Sequence, residues 1–396
     1  MTLSRREKIV QFLGLNKSIT AILAMVILVG LGEKMAERFL PIYLLALGGG
    51  ALTIGLLGAM NNLLSALYSF PGGYLSDRLG YKKALILFNL MALTGYGIVI
   101  IFPRWEAVII GAAFFLSWTA ISLPATMSLV SKVLPQDKRT MGISVHSLVR
   151  RIPMALGPVL GGLLIGIYGE TTGVRLAFAG AFVLAVVSLI LQQIMIEDDN
   201  SQVKAEKMPS RLWRQMSPAL RNLLVSDILI RFSEQIPYAF VVVWCMKNHG
   251  ISAFQFGLLT TIEMTVAVLV YIPVAYLADR STKKPFVVIT FFNFALFPLV
   301  ILLSQSFGMM VLAFIIRGLK EFGEPTRKAL IMDLAPENQK AGMFGLYYLI
   351  RDTIVSLAAF GGALLWQISP STNFLTAFAF GMAGCLYFWM YGRDLQ

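Results

Sequence analysis

Long apolar runs leave this chain few ways to fold. A helix of about 20 residues crosses the roughly 30 Å hydrocarbon layer of a bilayer. Runs of that length, marked between polar breaks, number about twelve and cover residues 18–47, 52–76, 83–102, 106–130, 141–168, 173–196, 220–246, 252–278, 285–304, 307–332, 342–366 and 372–391. Inside a bilayer every backbone polar group has to be bonded within the chain, so each run is read as a helix. Composition agrees, with 57% of residues hydrophobic and 14% charged and a mean hydropathy of +0.74. Soluble domains are nearer 45–50% apolar and about 25% charged, and no water-soluble core could hide this excess.

The polar breaks organise the runs. The only long one, "EDDNSQVKAEKMPSRLWRQMSPALRN", starts at Glu197 and follows the sixth span. It predicts an N-terminal six-helix bundle over 1–196, a linker over 197–218 and a C-terminal six-helix bundle over 219–396. Loops on one side carry Arg5, Arg6, Lys8, Lys17, Arg78, Lys82, Lys83, Lys132, Lys138, Arg139, the linker basics, Arg280, Lys283, Lys284, Arg327, Lys328, Lys340 and Arg393, whereas the opposite loops carry only Arg104, Arg175 and Lys247. By the positive-inside rule both termini are cytoplasmic, in a multi-pass protein of the plasma (inner) membrane. The opening "MTLSRREKIVQFLGLNKS" then reads as a cytoplasmic tail, not a cleaved signal. The formal net charge of +12 is topological, and nucleic acid is not an expected partner. Cys245, Cys385, His146 and His249 are too few and too scattered for a disulfide framework or a metal site.

The chain also repeats itself. "PGGYLSDRLGYKK" at 71–83 returns as "PVAYLADRSTKKP" at 273–285, each between two apolar runs. "TIGLLGAMNNL" at 53–63 matches "QFGLLTTIEMT" at 255–265, and "VRRIPMALGPVLGGLL" matches "LIRDTIVSLAAFGGALL". Two parallel six-helix halves are a transporter architecture, with the site between them near the midplane.

At these residues the chain resembles the major facilitator superfamily, whose signature loop runs roughly G-x-L-a-D-r-x-G-r-k. Gly73, Leu75, Asp77, Arg78, Gly80 and Lys82 match it, while Tyr81 departs from the usual basic residue. The second copy keeps Leu277, Asp279, Arg280 and Lys284 but has Ala275 and Thr282 in place of the glycines. The resemblance covers essentially the whole chain. It implies an all-α membrane fold of twelve helices in two pseudo-symmetric bundles. Spans 3, 6, 9 and 12 would face lipid, and spans 1, 4, 7 and 10 would line a cavity. It also implies a conformational gate of Gly73, Asp77, Arg78, Gly80, Asp279 and Arg280, in which Asp77 latches onto the start of span 11; the bland alternative is that these charges are topology signals alone. "GPVLGG" at 157–162 resembles the tail of a span-5 motif of proton-driven exporters, but Ser144 and Pro153 replace its upstream glycines. Close helix packing would explain the same small residues.

Ionisable residues within the spans are the candidate site. Each costs at least about 2.5–3.5 kcal/mol at a helix centre, so most face a cavity or a partner. Span 1 carries Glu33, Lys34, Glu37 and Arg38; span 5, Arg150 and Arg151; span 7, Asp227, Arg231 and Glu234; span 8, Glu263; span 10, Arg317, Lys320, Glu321 and Glu324; span 11, Arg351 and Asp352. Spans 3, 4, 6, 9 and 12 carry none in their interiors, and span 4 offers Ser117, Trp118 and Thr119 instead. Lys34 with Glu37, Asp227 with Arg231, Arg317 with Glu321 and Lys320 with Glu324 are spaced to pair along single helices. Arg150 and Arg151 have no acid on their own helix, and Glu263 has no base on its own. They are expected either to pair with each other in one state or, for the arginines, to hold a substrate anion.

The expectation is a secondary transporter that moves a small polar or amphipathic organic solute by alternating access. Proton coupling is expected because burial favours the protonated form of Glu33, Glu37, Glu234 and Glu263. One reading is proton-coupled efflux of drugs or metabolites. The alternative is a carrier of an organic anion (a polycarboxylate, a carboxylate siderophore or a phosphorylated metabolite), supported by Arg150, Arg151, Arg231 and Arg351. No nucleotide-binding motif, catalytic constellation or metal-ligand cluster occurs, so no enzyme activity and no cofactor beyond a proton gradient is expected. The expected partners are the solute and membrane lipid, with the chain a monomer.

Overall fold

A computed structural model describes residues 17–79, 81–116, 149–195, 212–278, 281–336 and 340–394, with only the backbone course at 17–19, 21–22, 68–78, 81, 271–272, 275–276, 278 and 340–342. Within them every regular element is helical and no strand occurs. Seven helices among the described residues are long and apolar enough to cross a membrane. Large apolar side chains on them face outward, among them Ile167, Ile194, Leu269, Leu357 and Ile368. Such a surface suits hydrocarbon and not water.

Contacts divide the chain into two units, Met1–Leu40 with Leu67–Glu206, and Pro41–Ala66 with Lys207–Gln396. The first holds α1 (Lys17–Glu37), α4 (Tyr81–Ile101), α5 (Trp105–Phe115) and α6 (Arg151–Met195). α2 (Leu40–Ala46) and the first part of α3 (Ala51–Leu79) sort with the second. That second unit continues with α7 (Leu212–Gln215), α8 (Pro218–Tyr238), α9 (Val241–Val243), a π-turn at Trp244–Asn248, α10 (Ala253–Ala278), α11 (Lys284–Leu303), α12 (Phe307–Leu319), α13 (Glu324–Leu334), α14 (Lys340–Ile368) and α15 (Pro370–Tyr391).

In the first unit α6 is two helices joined at Gly169, whose φ of 78° and ψ of 171° lie outside the helical region. This is the break expected between spans 5 and 6, and a side chain would strain there. α1 lies along α6 so closely that a Cβ at Gly161 would fall 2.0 Å from the Met35 carbonyl, and one at Gly157 2.6 Å from Lys34 Cβ. The "GPVLGG" glycines therefore serve close packing on α1. Buried Asn89 of α4 donates to Gln192 Oε1 of α6 at 2.8 Å, and Gln192 donates to the Lys82 carbonyl at 2.9 Å.

The second unit repeats the close approach. A Cβ at Gly362 of α14 would fall 2.2 Å from the Ile236 carbonyl of α8. Asn373 of α15 donates to that same carbonyl at 3.2 Å and to the Gly362 carbonyl at 2.7 Å. α3 packs on α14 through Gly55 and Gly58, which face Ala363 and Ala359, and Asn62 donates to Gln235 of α8 at 3.1 Å.

Among the described residues three expected spans are interrupted. Span 1 breaks at Arg38–Phe39 between α1 and α2, span 7 after Tyr238, and span 10 at 320–323 between α12 and α13. Pro41, Pro237 and Pro325 stand at these breaks; proline lacks an N–H and its ring meets the carbonyl four residues earlier. Yet Pro158, Pro273 and Pro298 sit inside helices that continue. At 320–323 glycine contributes as well. The Gly323 N–H goes to Thr290 Oγ1 of α11, and a Cβ there would fall 2.4 Å from the Phe286 carbonyl.

Candidate functional site

Each unit carries its own buried charges. In the first, Glu33, Lys34 and Glu37 lie on α1. Lys34 Nζ donates to Glu33 Oε1 at 3.0 Å and to Glu37 across one turn. The pairing of Lys34 with Glu37 is therefore the one expected from spacing. Arg150, just before α6, is close enough to Glu33 for their charges to interact. Arg151 is the first residue of α6. Tyr96 of α4 is buried within electrostatic reach of Glu33 and Glu37, its ring stacked on Phe115 with centroids 5.4 Å apart.

The second unit holds a continuous network across five helices. Asp227 of α8, 1% exposed, accepts from Arg327 Nη1, from the Tyr347 hydroxyl at 3.0 Å and from Arg351 Nη1 at 3.3 Å. Arg327 also clasps Glu324, with Nη2 to Oε1 at 2.6 Å and Nε to Oε2 at 3.0 Å. Arg231 reaches Glu234 at 2.6 Å, Glu324 at 3.5 Å and Asp227 at 3.7 Å. Lys320 is held by Glu234 of α8 at 2.8 Å and Glu263 of α10 at 3.5 Å. Arg317 of α12 lies 3.3 Å from Glu263. Arg351 closes the far end on Asp352 at 2.7 Å. Five carboxylates alternate with five buried bases, and the exposed Lys328 adds a sixth base 3.5 Å from Glu324.

Aromatic rings complete the bases' surroundings. The Arg317 guanidinium lies 4.9 Å from the Phe297 centroid, 5.5 Å from Tyr238 and 5.6 Å from Phe314. Arg231 and Lys320 share the Phe294 ring at 5.1 and 5.6 Å, and Arg351 stacks on Tyr348 at 4.1 Å. Faces of this kind stabilise cations away from water.

The sequence-derived set is thus sorted into two groups. Arg231, Glu234, Glu263, Arg317 and Arg351 meet in the second unit; Glu33, Lys34, Glu37 and Arg150 gather in the first. Two expected pairings within span 10 are replaced. Arg317 and Lys320 turn to Glu263 and Glu234 of neighbouring helices, because the helix stops at Leu319 and Glu321 lies in the turn beyond it. Glu263, which has no base on its own helix, is served by these two. Arg327 is the residue that sequence reading misses: it reads as a loop charge, but it is 1% exposed. Its spacing of three from Glu324 is the available signal. Of the expected gate, Gly73, Asp77 and Arg78 fall where side chains are not described, and Gly80, Asp279 and Arg280 lie outside the described residues, as do Ser117, Trp118, Thr119 and Ser144. Among the described residues no group of three or more His, Cys, Asp or Glu could hold a metal ion.

The Major Facilitator Superfamily model matches the chain twice, over residues 22–231 and 223–395. The chain belongs to that superfamily. It is therefore an integral membrane transporter and not an enzyme. A relative from Methanocaldococcus jannaschii, the uncharacterized MFS-type transporter MJ1317, is 21% identical over 358 residues, 87% of each chain. The quinolone resistance protein NorA of Staphylococcus aureus is 24% identical over 248 residues, 61% of this chain and 57% of NorA. Among solved structures, a point mutant of the nucleoside transporter NupG superposes with a TM-score of 0.81 at 11% identity, covering 96% of this chain and 100% of that one. A D-xylose–proton symporter gives 0.74 at 12%, covering 95% and 98%. The structural likenesses show the fold; general transport of a small molecule follows from the superfamily.

Proposed function

We propose that this superfamily member is a proton-coupled exporter of small amphipathic organic solutes, working as a monomer of two six-helix halves with both termini cytoplasmic. One observation carries the coupling: Lys320 is shared by Glu234 and Glu263, three buried groups on α8, α10 and the turn after α12. Two carboxylates and one ammonium leave a surplus negative charge that Arg231 and Arg317 offset. A proton on either carboxylate weakens one arm of the hub and changes which helices are held together. The proton gradient is then the energy source, and no cofactor enters.

The efflux direction is supported by NorA, a quinolone resistance protein by name, and by the aromatic faces around Arg231, Lys320 and Arg317. The organic-anion alternative is weaker on this geometry. Arg231 and Arg351, two of its candidate cationic forks, are bound to Glu234, Asp227 and Asp352 of the chain itself. An incoming anion would have to displace them.

The test uses purified protein in liposomes with a fluorescent quinolone as probe. Movement against the probe's gradient, driven by an imposed pH gradient and lost when that gradient is collapsed, is the expected result. Driven movement of citrate in place of the quinolone would shift the assignment to the anion carrier.

A further inference from the structure

We propose that Arg327 is a positioning residue of the coupling site: by neutralising Asp227 and Glu324 it leaves Arg231 to Glu234. The inference rests on the reading of Glu234 as a proton-carrying group. Three carboxylates surround the Arg231 guanidinium, Glu234 at 2.6 Å, Glu324 at 3.5 Å and Asp227 at 3.7 Å. Spacing along α8 does not select among them, since Asp227 lies four residues before Arg231 and Glu234 three after.

Arg327 makes the selection. Its Nε and Nη2 occupy both oxygens of Glu324, and its Nη1 takes Asp227 Oδ2. It does so at 1% exposure, where charges are poorly screened and a bidentate fork is at its strongest. With two acids satisfied, Arg231 spends its short hydrogen bond on Glu234. Without Arg327, Asp227 would keep Arg351 at 3.3 Å and the Tyr347 hydroxyl at 3.0 Å, and Glu324 would keep Arg231 and Lys328, each at 3.5 Å, the latter a side chain 47% exposed. Arg231 is then the buried cation that reaches both acids, and it would swing toward Glu324. Glu234 would then depend on Lys320, which already divides itself with Glu263.

The charged groups that face Glu234 directly are Arg231 on α8 and Lys320 in the turn after α12. Around these two stand Asp227 on α8 and Glu324 and Arg327 on α13, beside Arg231, and Glu263 on α10, Arg317 on α12 and Glu321, beside Lys320; Tyr347 and Arg351 on α14 bear on Asp227. α11 contributes the Phe294 ring. Loss of a nearby cation lets a carboxylate hold its proton to higher pH, and loss of a competing anion does the reverse. Arg327 and Glu324 therefore have opposite signs: Arg327→Gln moves protonation of Glu234 alkaline, and Glu324→Gln, which releases Arg231 wholly to Glu234, moves it acid.

The test is an infrared pH titration of the full-length protein in lipid nanodiscs, following the carboxyl band that disappears in Glu234→Gln. Arg327→Gln is expected to raise its midpoint by about one pH unit, a tenfold change in proton affinity. Glu324→Gln is expected to lower it, and the double variant to return it toward the wild-type value. If Arg327→Gln does not fold, Glu324→Gln and the double variant, which strand no acid at Glu324, still decide. An unmoved or alkaline-shifted midpoint in Glu324→Gln, or a double variant displaced as far as Arg327→Gln, overturns the role of Arg327 while leaving Glu234 in place. A protein with no titrating band lost in Glu234→Gln overturns the reading of Glu234, and this inference with it.

Discussion

Both units hold a lysine between two carboxylates, but they build the arrangement differently. In the first, Glu33, Lys34 and Glu37 all stand on α1. In the second, Lys320 is held by Glu234 and Glu263 from two other helices. The two clasps of Lys34 hold within one helix, although Glu33 also lies within electrostatic reach of Arg150. An ammonium clasped by three elements stays satisfied only while those elements keep their places. A proton at the second hub would bear directly on the contacts among α8, α10 and the turn after α12. That geometry is the ground on which Glu234, and not Glu33, is proposed as the coupling group.

The sharpest way to break the comparison is to neutralise one acid in each hub. Glu234→Gln is expected to reduce pH-driven accumulation in liposomes by more than about tenfold, equivalent to about 1.4 kcal/mol, while downhill flux persists. Glu33→Gln should keep driven accumulation within about twofold of wild type, a few tenths of a kcal/mol. The opposite ranking would place coupling on α1.

A second experiment sharpens the hub itself. Lys320→Met leaves Glu234 and Glu263 facing each other with one base fewer, and removing one partner of a buried pair costs about 3–5 kcal/mol. Adding Glu263→Gln should recover part of that loss, with a coupling of about 1–3 kcal/mol in a double-mutant cycle on thermal unfolding. Strict additivity would mean that the two do not interact across α10 and the turn after α12.

Glycines make a quieter comparison. Gly161 and Gly361 are each the first glycine of the pair in the repeated stretch. A Cβ at Gly161 collides with the Met35 carbonyl, whereas one at Gly361 meets no described atom within 4 Å. Gly161→Val should lower the unfolding midpoint by the equivalent of about 1–3 kcal/mol, the usual cost of overpacking. Gly361→Ala should be neutral or stabilise by up to about 1 kcal/mol, the helical preference for alanine. Equal effects would show that the halves pack alike at this position. A small change is also expected from Asn89→Leu, which removes the Asn89–Gln192 hydrogen bond between α4 and α6 and a long contact to Met25 Sδ. Interhelical bonds in membranes average about 0.6 kcal/mol, so a melting shift several times larger would mean that Asn89 supports more than this contact.

The sequence by itself determined the solvent, the helical class and the family. Unbroken apolar runs allow helices in a bilayer and little else, and the expected break between residues 168 and 173 is where the backbone turns at Gly169. The repeated loop at 71–83 and 273–285 pointed to the superfamily that the comparisons then showed. The Lys34–Glu37 pair was legible because both ends lie on one helix, where spacing alone fixes distance. Only the tertiary structure decided which charges meet across helices. Gly323 and Pro325 in "GLKEFGEPTRKAL" signal a break, but nothing there reports that the helix stops at Leu319, that Gly323 sits against α11, or that Arg327 faces Asp227 and not water. Periodicity describes one helix at a time. The partner of a buried charge depends on how neighbouring helices are placed and rotated, and that is set by packing among many residues distant in sequence. The same arginine is a topology signal when solvated and the clasp of a network when buried, and only the packing of α8, α13 and α14 decided that Arg327 is the second.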